Sequence, residues 1–177
     1  MLKKHQGITL GLFKKNLELL RSSQPSLASR VEREPKQNFV RVSISKDGNP
    51  IPQIGSVSLH SNYYPLKEAK DGLSEYCLRG QETPVVYGLG FGYHVLEILN
   101  SYKGSKVLVI EPVMSIFQSF MEHMDLEPFL PNTQFIISIP PPKIITSSQT
   151  DNWKKYEHQA SKRLSCDYFF SLDKAIE

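Results

Sequence analysis

Pro84-Val85-Val86-Tyr87-Gly88-Leu89-Gly90-Phe91-Gly92-Tyr93-His94, followed by Lys106-Val107-Leu108-Val109-Ile110-Glu111-Pro112, is the stretch that decides the fold. Each apolar run is short, rich in β-branched residues and bounded by turn formers, as a strand buried on both faces of a parallel sheet requires. Between the runs Val95, Leu96 and Leu99 form one face of a helix. A strand, a glycine turn, a helix and a second strand make a parallel pair with a right-handed crossover. The expected fold class is α/β: a small Rossmann-like, methyltransferase-like sheet of three or four strands, mainly parallel, with flanking helices.

The pattern extends in both directions. Pro112 opens a further helix with Ile116, Phe117, Phe120 and Met124 inward. Thr133–Ile139 reads as a third strand that Pro140-Pro141-Pro142 stops. Asp151 caps a last helix carrying Trp153, Ala160 and Leu164, and Cys166–Ser171 is a fourth strand or an extended tail. Upstream, Pro65 starts a helix that Gly80 ends, with Leu66, Ala69, Leu73, Tyr76 and Cys77 as its apolar stripe. Val40, Val42 and Ile44 alternate as a strand does, and Lys46-Asp47-Gly48-Asn49-Pro50 turns the chain. Either Ile51–Ile54 or Val57–Leu59 supplies the return strand. Leu10, Phe13, Leu17 and Leu20 recur at helical spacing with lysines outside, and Pro25 opens a short helix through Val31. The expected division is residues 1–62, N-terminal helices and a β-hairpin appendage, and residues 63–177, a Rossmann-like core with a C-terminal helix.

With 177 residues, 40% of them hydrophobic and 22% charged, the chain has the composition and length to bury a sizeable core. Its 21 basic and 18 acidic residues leave a net charge of only +3, with no Lys/Arg block interleaved with aromatics, so no nucleic-acid partner is expected. Cys77 and Cys166 are far apart and read as buried reduced thiols. His5, His123 and His158 have no metal-ligand spacing, and no metal is expected. Lys14-Lys15 interrupt the apolar stretch from Ile8 to Phe13, and no run approaches the ~18 residues of a membrane span. The expected location is the cytoplasm, without membrane association.

Gly88, Gly90 and Gly92 occupy the place of a nucleotide-binding turn. Glycines there permit positive φ and close backbone approach to a ligand, and the helix that follows presents free N–H groups. Glu111, at the end of the second strand, can accept hydrogen bonds from ribose hydroxyls. His94, in the first turn of the helix, is the side chain best placed for a phosphate. Gly88, Gly90, Gly92, His94 and Glu111 are therefore the candidate cofactor-binding residues, and the ligand is open between a nucleotide and S-adenosylmethionine. A purely structural reading stands beside this one: strand–helix turns need glycine for packing, and Glu111 before Pro112 can stabilise a helix N-terminus. The Gly-x-Gly-x-Gly spacing is nearer to S-adenosylmethionine-dependent methyltransferases than to dinucleotide enzymes. Against a methyltransferase, Tyr87 replaces the usual acidic residue, the third strand lacks one at its end, and too few residues follow Thr83 for a seven-stranded sheet.

Leu59-His60-Ser61-Asn62-Tyr63-Tyr64-Pro65-Leu66-Lys67-Glu68-Ala69, taken with the glycine turn and Val109-Ile110-Glu111-Pro112, resembles the N-terminal module of the motility accessory factor family. These are bacterial glycosyltransferases that attach nonulosonic acids to flagellin, and their archaeal relatives include 6-hydroxymethylpterin diphosphokinases. The resemblance implies a Rossmann-like module that precedes a catalytic domain. The family's transferase centre surrounds a Gly-x-Gly-Pro-Ser turn absent here, Gly104 being the last glycine. The expected function is thus a non-catalytic or accessory module of such a transferase, nucleotide-binding or acceptor-presenting, with no catalytic residues named. Its expected partners are a downstream catalytic domain and a flagellin-like acceptor. The alternatives are a S-adenosylmethionine-dependent methyltransferase and an interaction scaffold with an empty turn. His60 and Ser61 read as a strand end or helix cap beside the turn, and Lys67 with Glu68 as an ion pair, an anion contact or solvated charges.

Overall fold

β4 (Pro84–Tyr87), β5 (Val107–Glu111) and β6 (Thr133–Ile137) form the parallel centre of the molecule, seen in a computed structural model that describes residues 2–74, 83–130, 132–137 and 169–171. Val85 lies opposite Leu108 and Tyr87 opposite Ile110, while Val107 pairs with Thr133 and Glu111 with Ile137. β7 (Phe169–Ser171) adds antiparallel to β4, giving the order β6-β5-β4-β7. The α/β class and mainly parallel sheet are as the strand–turn–helix pattern requires. The expected C-terminal helix from Asp151, the stop at Pro140 and the end of the helix near Gly80 lie outside the described residues.

α4 (Tyr93–Ser101) and α5 (Met114–His123) carry the two crossovers. Because β4, β5 and β6 succeed one another in a single direction, right-handed crossovers put both helices on the same face. There Val86, Val109 and Phe135 meet Val95, Ile98, Phe117 and Phe120 in one continuous core. Each large side chain so buried contributes about 1.5–3 kcal/mol. α5 is the pivot of the fold. Its Phe117 and Phe120 face the sheet, whereas Ile116 packs against Ile54 and Leu59 of the N-terminal segment.

α1 (Leu2–Ser23) and α2 (Pro25–Arg33) cover this helical layer through Leu17, Leu20, Leu27, Ala28 and Val31. Leu10 is 58% exposed, so the apolar stripe becomes a contact only from Phe13 onward. Asn16, fully buried, fixes the register of α1. Its amide donates to the carbonyls of Met121 (2.8 Å) and Met124 (2.7 Å), and its oxygen accepts from the Leu126 N–H (2.9 Å).

β1 (Val40–Ile44), β2 (Pro50–Ile54) and β3 (Val57–Ser58) form a separate antiparallel sheet in that order. Both candidate return segments are strands, since Gly55 at φ +58° reverses the chain a second time. Ile44, at the end of β1, is 66% exposed. α3 (Pro65–Ser74) buries Ala69 and Leu73 beside α4, but Leu66 points outward. Among the described residues no helix is long and apolar enough to cross a membrane.

Candidate functional site

The glycine turn joins β4 to α4, and all three of its glycines have positive φ: +88° at Gly88, +54° at Gly90 and +74° at Gly92. A non-glycine residue would be strained at each. They differ in what surrounds them. Where a Cβ on Gly88 would stand there is open space. One on Gly90 would meet His60 Nε2 at 2.5 Å, and one on Gly92 would meet the Phe129 ring at 2.7 Å. The close approach that Gly90 and Gly92 permit is made by the protein's own rings.

The turn's N–H groups are likewise engaged. Gly88 donates to the Ile110 carbonyl (2.7 Å) and Gly92 to the Leu89 carbonyl (2.8 Å). Leu89 donates to Glu111 Oε2 (2.8 Å), and the Gly90 N–H also acts on that carboxylate. Phe91 donates to His60 Nε2 (2.8 Å). The N–H groups of Gly88, Leu89, Phe91 and Gly92 are all hydrogen-bonded within the chain.

Glu111 is completely buried, and its second oxygen accepts from the Val113 N–H (2.9 Å) at the start of α5. Burial pushes its carboxyl up to about 7, against the pull of the Leu89, Val113 and Gly90 N–H groups, which favour the charged form. The carboxylate thus links three pieces of backbone: the end of β5, the glycine turn and α5.

His60 arrives from the segment after β3. Its Nε2 accepts a hydrogen bond from the Phe91 N–H, so the neutral ring carries its hydrogen on Nδ1, which lies 3.9 Å from Glu68 Oε2 on α3. The ring also meets Tyr93 edge-on at 4.9 Å. Glu68 Oε2 accepts from the Ser61 N–H (2.8 Å), and Ser61 Oγ accepts from the N–H groups of Tyr63 and Tyr64 (3.2 Å each) at the entry to α3. Ser61 therefore caps. Lys67 pairs with Asp71 on the exposed side of α3 and not with Glu68.

His94 Nε2 stands 3.1 Å from the Gly88 carbonyl, an acceptor, so that nitrogen carries the hydrogen. Loss of solvation holds its pKa down to about 4, despite the upward pull of that carbonyl, and the ring is neutral at pH 7. Phe91 and Tyr93 are buried, Phe91 stacking on His123 at 5.6 Å and Tyr93 donating its hydroxyl to the Pro50 carbonyl (2.8 Å). Tyr87 is 38% exposed. The structure brings Gly88, Gly90, Gly92, His94 and Glu111 together, as their spacing predicts. His60 stands beside the turn, where its place just before α3 puts it, with Glu68 behind it, and Phe129 joins from a segment that no spacing connects to the turn. Among the described residues no three His, Cys, Asp or Glu side chains converge as a metal site.

The fold is a small Rossmann-like α/β sheet flanked by helices. The chain is similar to the MAf glycosyltransferase from Magnetospirillum magneticum AMB-1, with a TM-score of 0.56 at 13% sequence identity over 86% of this chain. It spans 30% of that protein's length. No family model and no curated protein matches it.

Proposed function

We propose that this chain is a cytoplasmic, non-catalytic module of a MAf-type protein glycosyltransferase, in which the glycine turn is a structural clasp and not a cradle for a nucleotide. One observation carries the reading: the turn's own N–H groups are directed at Glu111, His60 and backbone carbonyls, and the His60 ring stands over Gly90. An anion at a helix N-terminus is held by free backbone donors, and here those of Gly88, Leu89, Phe91 and Gly92 are already engaged. The likeness in fold to the Magnetospirillum enzyme supports the placement within a transferase. In this reading the module's partner is a catalytic domain of the same transferase, and a flagellin-like acceptor is the protein it helps to present.

The test is a thermal-shift and calorimetric titration of the intact chain with S-adenosylmethionine, S-adenosylhomocysteine, CMP, CMP-sialic acid and GTP. A ligand at 100 times its dissociation constant would stabilise the fold by about 2.7 kcal/mol. The expected result is no shift from any of them. Stabilisation by the S-adenosyl compounds that Glu111→Ala abolishes would make the chain a methyltransferase. A response to the CMP compounds would instead make the turn a donor site.

A further inference from the structure

Two sheets give this chain several strand edges, and most of them are guarded. The outer edge of β6 is filled by side chains. Gln24 Nε2 donates to the Thr133 carbonyl (3.1 Å), its Oε1 accepts from the Phe135 N–H (3.0 Å), and Arg30 donates to the Ile137 carbonyl. One amide thus stands where the peptide group of a neighbouring strand would. β3 and β7 are only two and three residues long. On the side of β2 that faces β3, Pro50 and Pro52 have no N–H to offer. Short strands, prolines and covering groups are the means by which proteins prevent unwanted strand pairing.

β1 has none of these three. Beyond its end the ladder with β2 closes in the bond from the Ser45 N–H to the Asn49 carbonyl (2.8 Å), and the register continues through Ser43 with Ile51 and Arg41 with Gln53. Antiparallel pairs alternate between bonded and non-bonded, so Val40, Val42 and Ile44 turn their N–H and C=O groups away from β2. Those groups meet no partner among the described residues. Five residues without proline or glycine, ending in the exposed Ile44, make an unguarded edge.

The edge is also complementary to itself. In an antiparallel pairing centred on Val42, the outward groups of Val42 bond reciprocally with those of the second Val42. Val40 then pairs with Ile44 and covers it with an apolar side chain. Arg41 falls opposite Ser43, so the one charged residue of the strand does not face its copy. The neighbouring register, with Val40 opposite Val42, would set Arg41 against Arg41, and like charges directly opposite are destabilising.

We propose that β1 is a strand-addition site for a second copy of this chain, paired antiparallel about Val42 through a two-fold axis. The pairing joins two three-stranded sheets into one continuous sheet. Five paired residues cover far less than the ~800 Å² per partner of a standard interface, so the association is weak and grows with concentration. It stands whether or not the chain serves a transferase.

Sedimentation equilibrium of the intact chain should show a reversible monomer–dimer exchange. Ile44→Lys, at an exposed position, should raise the dissociation constant about tenfold with the urea midpoint kept, since symmetry brings the charge into the interface twice. Arg41→Cys with Ser43→Cys, in a Cys77→Ser, Cys166→Ser background, should give a disulfide-linked dimer on mild oxidation, far faster than either substitution alone. The pairing sets position 41 of one copy beside position 43 of the other at a Cα separation of about 4.5 Å, within reach of a disulfide. A chain that stays monomeric at every soluble concentration overturns the proposal and leaves the edge to a strand of another protein. A dimer indifferent to Ile44→Lys, or one that the cysteine pair fails to link, forms through another surface and equally refutes it. Should Ile44→Lys not fold, the cross-link alone decides.

Discussion

The methyl group added by Gly90→Ala lands 2.5 Å from His60 Nε2, on backbone at φ +54°. Backbone strain and ring displacement together should cost about 2–4 kcal/mol, read as a lower urea midpoint. In a His60→Ala background the collision is gone, and only the conformational part, about 1–2 kcal/mol, should remain. The two substitutions are therefore strongly non-additive. Gly88→Ala, with open space around it, should show the conformational part alone in both backgrounds. Equal costs for Gly90→Ala with and without the imidazole would refute the clasp. The glycine spacing and Glu111 at the strand end were legible in the sequence, because each reflects a local backbone requirement. The acceptor for Phe91 was not. His60 lies 31 positions upstream, and a contact across that distance leaves no periodic trace.

At the scale of elements, Asn16 joins α1 to the end of α5 with bonds from both sides of its amide. Asn16→Ala leaves the Leu126 N–H and two carbonyls without that partner and should destabilise the fold by about 2–4 kcal/mol. Asn16→Asp keeps an acceptor for Leu126 but turns an oxygen towards the Met121 and Met124 carbonyls, so it should rescue nothing. If chemical denaturation of Asn16→Ala matches the parent within error, α1 is held by its apolar face alone. Helical periodicity located α1, α3, α4 and α5 because each buries a stripe. It could not say where a stripe outruns its neighbour, which is why Leu10 and Leu66 lie exposed. Alternation found β1 in the same way, but the second reversal at Gly55, which makes strands of both return segments, depends on a turn conformation that residue pattern left open.

For the whole molecule, two buried groups beside the turn oppose each other in their dependence on pH. Glu111 rises from an ordinary 4.5 to about 7, so between those values the native state holds more protons than the unfolded one and stability falls as pH increases. His94 falls from 6.5 to about 4, so in that window the unfolded state holds more protons and stability rises with pH. From about pH 4.5 to 6.5 the two contributions counteract. Glu111→Gln should therefore leave a profile that climbs towards pH 6.5, at a lower overall level because its NH₂ faces backbone N–H donors. His94→Asn should leave one that declines from pH 4.5 to 7. Urea midpoints measured across this range give the slopes, and parallel profiles for all three proteins would refute the opposition. At this scale the α/β class was readable because two buried strands and their crossover sit in one short stretch of sequence. How the N-terminal helices lock onto α5 was not, since it depends on packing between segments a hundred residues apart.

The imidazole over Gly90 also bears on descent. A lineage that enlarges residue 90 must first discard the ring, so positions 60 and 90 should vary together among related chains. A lineage that keeps the glycine but loses the ring would bare the Phe91 amide and open a notch above the turn, the raw material of a phosphate pocket. One aromatic side chain thus separates a turn closed on itself from one that could evolve to hold a ligand.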